Sequence, residues 1–222
     1  MKKIILITSV LLLSFSASAG SDSGVIVRKY KPVEEIGKQV RVREIKSADM
    51  APSEGSYPCA FSIIPLLEWP SAGCDVSIFR FNLLVGQHRT VTGVDFGVLG
   101  NRVVGETAGL SVAGIWNDCG ASIGSIGVAA VANYSVYGWD GLQLSCVNCT
   151  EGEMNGVQLG VLNMAGRDLG LQVGVCNLSG KSIGVQVGIV NVSEALSGLQ
   201  LGLVNVNIDS SLPVLPFVNM GF

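Results

Sequence analysis

The sequence predicts an all-β fold, a β-solenoid built from repeats of about 14 residues. The first observation behind this is repetition. Gly156-Val157-Gln158-Leu159-Gly160-Val161-Leu162-Asn163 returns at Gly170–Asn177, at Gly184–Asn191 and at Gly198–Asn205, always in the same phase. The second is alternation: Val157, Leu159 and Val161 fall on one side of a period of two, and Gly156, Gln158 and Gly160 on the other. The third is composition. Hydrophobic residues make up 48% and glycine 29 of 222 positions, while charged residues are only 14%, against ~25% in an ordinary soluble domain.

These numbers also exclude classes. A chain this apolar is not disordered. A net charge of -3 supplies no basic excess for nucleic acid. The glycines do not follow a three-residue collagen period.

The elements follow in order. Lys2 and Lys3, an apolar run over Ile4 to Phe15 and Ala17-Ser18-Ala19 form a signal peptide at 1–19, with cleavage expected before Gly20. The apolar run is too short for the ~20 residues of a transmembrane helix. Residues 20–57 form a charged segment and linker. Within 28–46, seven Lys and Arg residues stand against Glu34, Glu35 and Glu44. That stretch reads as a solvated leader or as a contact patch for an anionic surface such as lipid headgroups. Ala51 to Ser56 is the linker.

Residues 58–222 form the repeat domain. One unit holds too few apolar side chains to fold alone, so units must stack and share backbone hydrogen bonds. After Val161 the alternation slips, because Leu162 and Met164 are also apolar. A corner there is expected to turn both sets inward. Stacking then lays Gln143, Gln158, Gln172, Gln186 and Gln200 in a surface amide ladder. Asn148, Asn163, Asn177, Asn191, Asn205 and Asn219 form a second, structural ladder at the corner. Residues 212–222 are the expected cap, since Pro213 and Pro216 cannot donate to a further strand.

The repeats, together with Phe79–Arg89 and Val91–Leu99 ahead of them, resemble the bacterial surface repeat-containing proteins whose units read GLQLGLVN with a polar turn between. The resemblance covers about residues 60–222 and carries no activity with it. The segment at 28–46 lies outside it.

A small outer-membrane β-barrel is the alternative architecture, supported by the signal peptide, the alternating strands and the terminal Phe222. Against it stand an aromatic content of 6%, uniform turn lengths and a mean hydropathy of +0.49.

Chemistry-bearing residues are few. The six cysteines all lie in the exported part, where disulfides persist. Cys146 and Cys176 fall two rungs apart, as do Cys119 and Cys149. Two rungs are ~9.6 Å, beyond the ~7 Å a bridge allows. Cys59 and Cys74 precede the regular stack and are the candidate disulfide. Cys146-Val147-Asn148-Cys149 spells CxxC but sits inside a strand repeat, with no second CxxC for zinc. His88 is the single histidine and reads as a turn residue. Glu153 and Asp168 each follow their unit's asparagine by five positions. Stacking would set them roughly 5 Å apart, near a retaining-glycosidase spacing.

The expectation is an exported bacterial envelope protein with a structural or adhesive role, without catalysis, cofactor or metal. Its place is the outer membrane, cell surface or periplasm, and its partner an envelope or host surface component rather than nucleic acid. A barrel for transport or anchoring and a polysaccharide-acting β-helix enzyme stand as the alternatives.

Overall fold

A computed structural model describes residues 52–222. The expected signal peptide at 1–19 and the basic segment at 28–46 lie outside the described residues. Period-two alternation of β-branched and aliphatic residues gives strands throughout. They are β1 (Ser56–Ile64), β2 (Leu67–Trp69), β3 (Asp75–Asn82), β4 (Val85–His88), β5 (Thr90–Gly97), β6 (Gly100–Ala113) and β7 (Trp116–Ala129). After these come β8 (Ala132–Leu144), β9 (Val147–Leu159), β10 (Leu162–Asp168), β11 (Leu171–Ser182), β12 (Val185–Leu196), β13 (Leu199–Asn207) and β14 (Val214–Met220). No helix occurs among the described residues.

The strands stack in chain order into a solenoid of about 10 turns. Every neighbour from β1 on β3 to β12 on β13 is parallel, and like residues sit on like. Gln172, Gln186 and Gln200 are register partners, as are Asn177, Asn191 and Asn205. Among the described residues antiparallel strands stand only at the two ends of the stack, β2 on β1 and β14 on β13. Those end strands do not pair with each other, so the sheet does not close, and the barrel alternative is overturned.

One turn is built from two short faces. In the unit at 170–183, Leu171 to Gly174 forms the first face and Cys176 to Ser182 the second, and the ladder skips Val175 between them. The bend has a backbone signature: the N–H groups of Val175 and Cys176 both donate to the carbonyl of Val161, at 3.0 Å each. Val161 and Leu162 share the carbonyl of Cys146 in the same way, at 2.9 and 3.0 Å.

The bend also dictates what faces inward. The asparagine just after it is completely buried and donates Nδ2–H to a carbonyl of the next rung. Asn163 reaches Val173 O at 2.9 Å, and Asn177 reaches Val187 O at 3.0 Å. With Asn163 inside, Leu162 and Met164 must point out. The bend residue Val161 points out as well, so one step of parity is consumed. Leu159 and Val157 therefore face outward and Gln158 inward. The corner thus turns both apolar sets outward, the reverse of the expectation, and the glutamine ladder is buried rather than on the surface.

At the C-terminal end the chain reverses into β14 instead of making another parallel rung. The Asn207 N–H donates to Pro213 O at 2.9 Å, and Gly202 lies opposite Phe217, whose φ is 67°. The reversal carries Asn219 away from the asparagine ladder. It lies opposite Gln200 and donates to Gln200 Oε1 at 3.1 Å, so it ends the glutamine ladder instead.

Candidate functional site

The interior holds a buried apolar cluster, with Val76, Val91, Val103, Trp139 and Met154 among its members, and beside it a polar network. The asparagine ladder runs without interruption from Asn82 through Asn101, Asn117, Asn133, Asn148, Asn163, Asn177 and Asn191 to Asn205. Each Nδ2–H donates to the next Oδ1, at 2.7 to 3.0 Å. Asn82 and the asparagines at 101, 117 and 133 thus extend the ladder ahead of Asn148, its expected start.

Beside it, Gln158 donates to Gln143, Gln172 to Gln158, Gln186 to Gln172 and Gln200 to Gln186, at 2.7 to 2.8 Å. All five side chains are 0% exposed. The second N–H of Gln186 and of Gln200 crosses to the hydroxyl of Ser179 or Ser193 on the opposite face, at 3.2 and 3.1 Å. Burial is tolerable because each amide from Gln158 to Gln200 donates to a partner one rung away; at the head of the column Gln143 only accepts.

Towards the N-terminal end the glutamine column becomes Gly127, Ser111, Asp95 and Arg80. Trp139 packs over Gly127 and fills the space a side chain would take. Arg80 and Asp95 form a buried bidentate pair, at 2.7 Å from Nε and 2.5 Å from Nη2. Arg80 Nη1 also donates to Arg102 O at 3.0 Å and to His88 Nδ1 at 3.3 Å. A guanidinium can only donate, so Nδ1 of His88 accepts. The ring proton is then on Nε2, which donates to Pro70 O at 3.2 Å. Burial, with the Arg80 charge second, pushes the His88 pKa down to about 4 and keeps the ring neutral. Glu68 closes this end by accepting from Gln87 N at 3.1 Å, and burial lifts its pKa to about 7. His88 is thus a fully buried core residue rather than a turn histidine. The Arg80–Asp95 pair carries no sequence signal short of the register itself.

The other candidates separate. Cys59 and Cys74 are both free thiols, the first exposed and the second buried, so the expected bridge does not form. The physical reason is facing: Cys59 lies in the outward column of β1, beside Phe79, and Cys74 is packed inside next to Ser71. The CxxC pair divides by exposure, although Cys149 shares the column of Met164. Cys146 is exposed at a bend, and Cys149 is buried with its thiol pushed up to about 12, which suppresses thiolate chemistry. Glu153 and Asp168 are not stacked. Glu153 is in register with Arg167 and pairs with it at 3.3 Å on the outside. Asp168 is fully buried, in register with Met154 and Ser182. The paired-carboxylate geometry of a glycosidase is therefore absent at these two residues. Among the described residues no group of three or more His, Cys, Asp and Glu side chains is placed to hold a metal ion.

What remains is the outer wall. Its first-face columns are Val94, Leu110, Ile126, Leu142, Val157, Leu171, Val185 and Leu199, and beside them Phe81, Phe96, Val112, Val128, Leu144, Leu159, Val173, Val187 and Leu201. Phe61, Phe81 and Phe96 stack along the second column, with ring centroids 5.8 Å apart. The bend adds a convex ridge: Val161, Val175, Ile189 and Leu203 are 55%, 47%, 49% and 59% exposed. On the second face, Leu162, Cys176, Val190 and Val204 continue the apolar surface, as do Met164, Leu178, Val192 and Val206.

Charges are segregated from this wall in its C-terminal part, whereas nearer the N-terminal end Arg102 and Asp118 stand in the column that Met164 continues. Between residues 141 and 206 the charges are Glu151, Glu153, Arg167, Asp168, Lys181 and Glu194. All come after the asparagine, at the far end of the second face, and Asp168 points inward. Over residues 141–206 this leaves a continuous apolar surface on the bend and both flanking faces. Comparison with family models, with curated proteins and with solved structures returns no match for this chain.

Proposed function

We propose that the chain is an exported, non-catalytic repeat protein of the bacterial envelope with a structural or binding role, and that the outer wall of the solenoid is its working surface. The observation that carries this is the inversion: amide ladders inside, uncharged apolar columns outside. A solenoid that only had to dissolve would gain nothing from that arrangement, because water is the poorest neighbour for Val, Leu and Ile. Export is supported by residues 1–19, which have the three parts of a signal peptide. The role is contact rather than chemistry, because the buried Arg80, Asp95 and His88 are engaged with one another and the thiol of Cys149 is held protonated.

Fractionation of expressing cells tests the reading. The expected result is a chain beginning at Gly20, recovered with the envelope or at the cell surface. A chain that keeps residues 1–19 and stays in the cytoplasm would overturn it.

A further inference from the structure

We infer that the apolar ridge and its two flanking faces insert into one leaflet of a lipid membrane, with the charged edge of the solenoid at headgroup level. The inference rests on the contact role proposed above and names its partner.

Three features select lipid acyl chains. The first is shape. The apolar surface wraps around a convex bend, from Val157 and Leu159 over Val161 to Leu162 and Met164. A flat partner, such as the same face of a second copy, would cover one side and leave the ridge and the other side in water. A fluid phase covers all three.

Depth is the second. Val157 to Val161 spans four strand steps, roughly 13 Å at ~3.3 Å each. Half of a ~30 Å hydrocarbon core is about 15 Å. Along the stack the ridge free of flanking charge runs from Val131 through Cys146, Val161, Val175 and Ile189 to Leu203, and ahead of it Arg102 and Asp118 occupy the column of Met164. Five rung spacings make that roughly 24 Å at ~4.8 Å each.

The third is polarity. Hydrocarbon demands that polar groups find partners within the protein. The rungs from Gln158 to Gln200 meet that demand, with backbone bonds between rungs and amides bonded along both ladders, while Gln143 Nε2 and Trp139 Nε1 ahead of them lack a partner. From Val131 to Val206 the charges that would resist insertion are Asp140, Glu151, Glu153, Arg167, Lys181 and Glu194, and they lie on the side away from the ridge. Charge complementarity points the same way. The segment at 28–46, just ahead of the solenoid in sequence, carries seven basic residues against three acidic ones, a composition that matches anionic headgroups.

The test is flotation of the exported chain, purified in detergent and freed of it in the presence of vesicles of phosphatidylethanolamine and phosphatidylglycerol. The wild-type chain is expected to float with the vesicles. A Val161→Glu, Val175→Glu, Ile189→Glu variant is expected to bind about a hundredfold less or weaker still, since each carboxylate would enter hydrocarbon. A Lys181→Gln variant at the charged edge should float like the wild type. Circular dichroism of each variant checks that the strands are kept.

Depth is read separately. A tryptophan at Ile189 should be quenched by vesicles with brominated acyl chains, and one at Lys181 should not. If the wild-type chain stays in solution as a stable dimer, lipid insertion is overturned while the contact role stands. If it stays in solution as a monomer, insertion is overturned and the contact role loses its main support. Equal quenching at both positions would overturn the orientation proposed.

Discussion

Gln172 holds two bonds of its ladder, donating to Gln158 Oε1 at 2.7 Å and accepting from Gln186 Nε2 at 2.7 Å. A buried amide replaced by an isosteric apolar group can gain stability when nothing depends on it. Here two neighbours do. Gln172→Leu strands the oxygen of Gln158 and removes one partner of Gln186, so a loss of about 1–3 kcal/mol is expected, read as a lower thermal midpoint. At the N-terminal end, Glu68 supplies a pH signature. Its folded pKa of about 7 lies above the ordinary 4.5, so the native state holds a proton that the unfolded chain gives up. The cost of ionising it is absent below pH 4.5, grows as pH rises and is complete above about 7. His88 works in the opposite sense: its folded pKa of about 4 is below 6.5, so stability is lost as pH falls across that interval. Glu68→Gln should remove the loss on the alkaline side and leave the His88 loss in place. Thermal midpoints of wild type and variant across pH 4 to 8, the interval that brackets both shifts, should therefore diverge as pH rises; parallel curves would contradict the assignment.

At the scale of the element, the bend is the unit that organises the fold. Asn177 serves it three times, donating to Val187 O and Asn191 Oδ1 and accepting from Asn163. Asn177→Ala leaves all three partners short inside the stack, and a loss of about 2–4 kcal/mol is expected by chemical denaturation. The end strand makes a different prediction. β14 is the open edge of the stack, and Pro216 within it has no N–H to offer a further strand. Pro213→Val combined with Pro216→Gly should expose a competent edge and give larger species by light scattering; an unchanged size would show that the reversal alone protects the end. These elements also show what was legible in sequence. The period, the strands and the asparagine column could be read directly, because stacking makes the repeat and the rung the same thing. The facing could not. Alternation defines two sides without naming the inner one, and one residue of parity lost between Val161 and Leu162 inverts the assignment. The Cys59–Cys74 expectation failed for a related reason: proximity in sequence says nothing about which side of a rung a thiol takes. The Arg80–Asp95–His88 cluster lies in three different strands, β3, β5 and β4, and only the register assembles it. Reversal of β14, which moved Asn219 onto the glutamine ladder, follows from a turn at 208–213 that has no counterpart in the repeat.

For the described solenoid as a whole, the consequence of facing is a set of amide ladders inside and a largely apolar wall outside. Hints of this were in the composition: with 14% charged residues and a mean hydropathy of +0.49, the chain cannot dress its outside in charge while its amides fill the inside. Stability then comes from backbone ladders and amide columns shared between turns, and the wall is left for contact. The most direct test of this inversion compares two lysines in one rung, Gln186→Lys and Ile189→Lys, by thermal unfolding in the same detergent. Gln186 is fully buried and Ile189 is half exposed on the ridge. Ile189→Lys is expected to stay within about 1 kcal/mol of wild type. Gln186→Lys, which puts an unpaired charge between two amides, should cost about 3 kcal/mol or more. The opposite order, with the lysine at 186 tolerated and the one at 189 unfolding the chain, would place the apolar columns inside and contradict the structure's central claim.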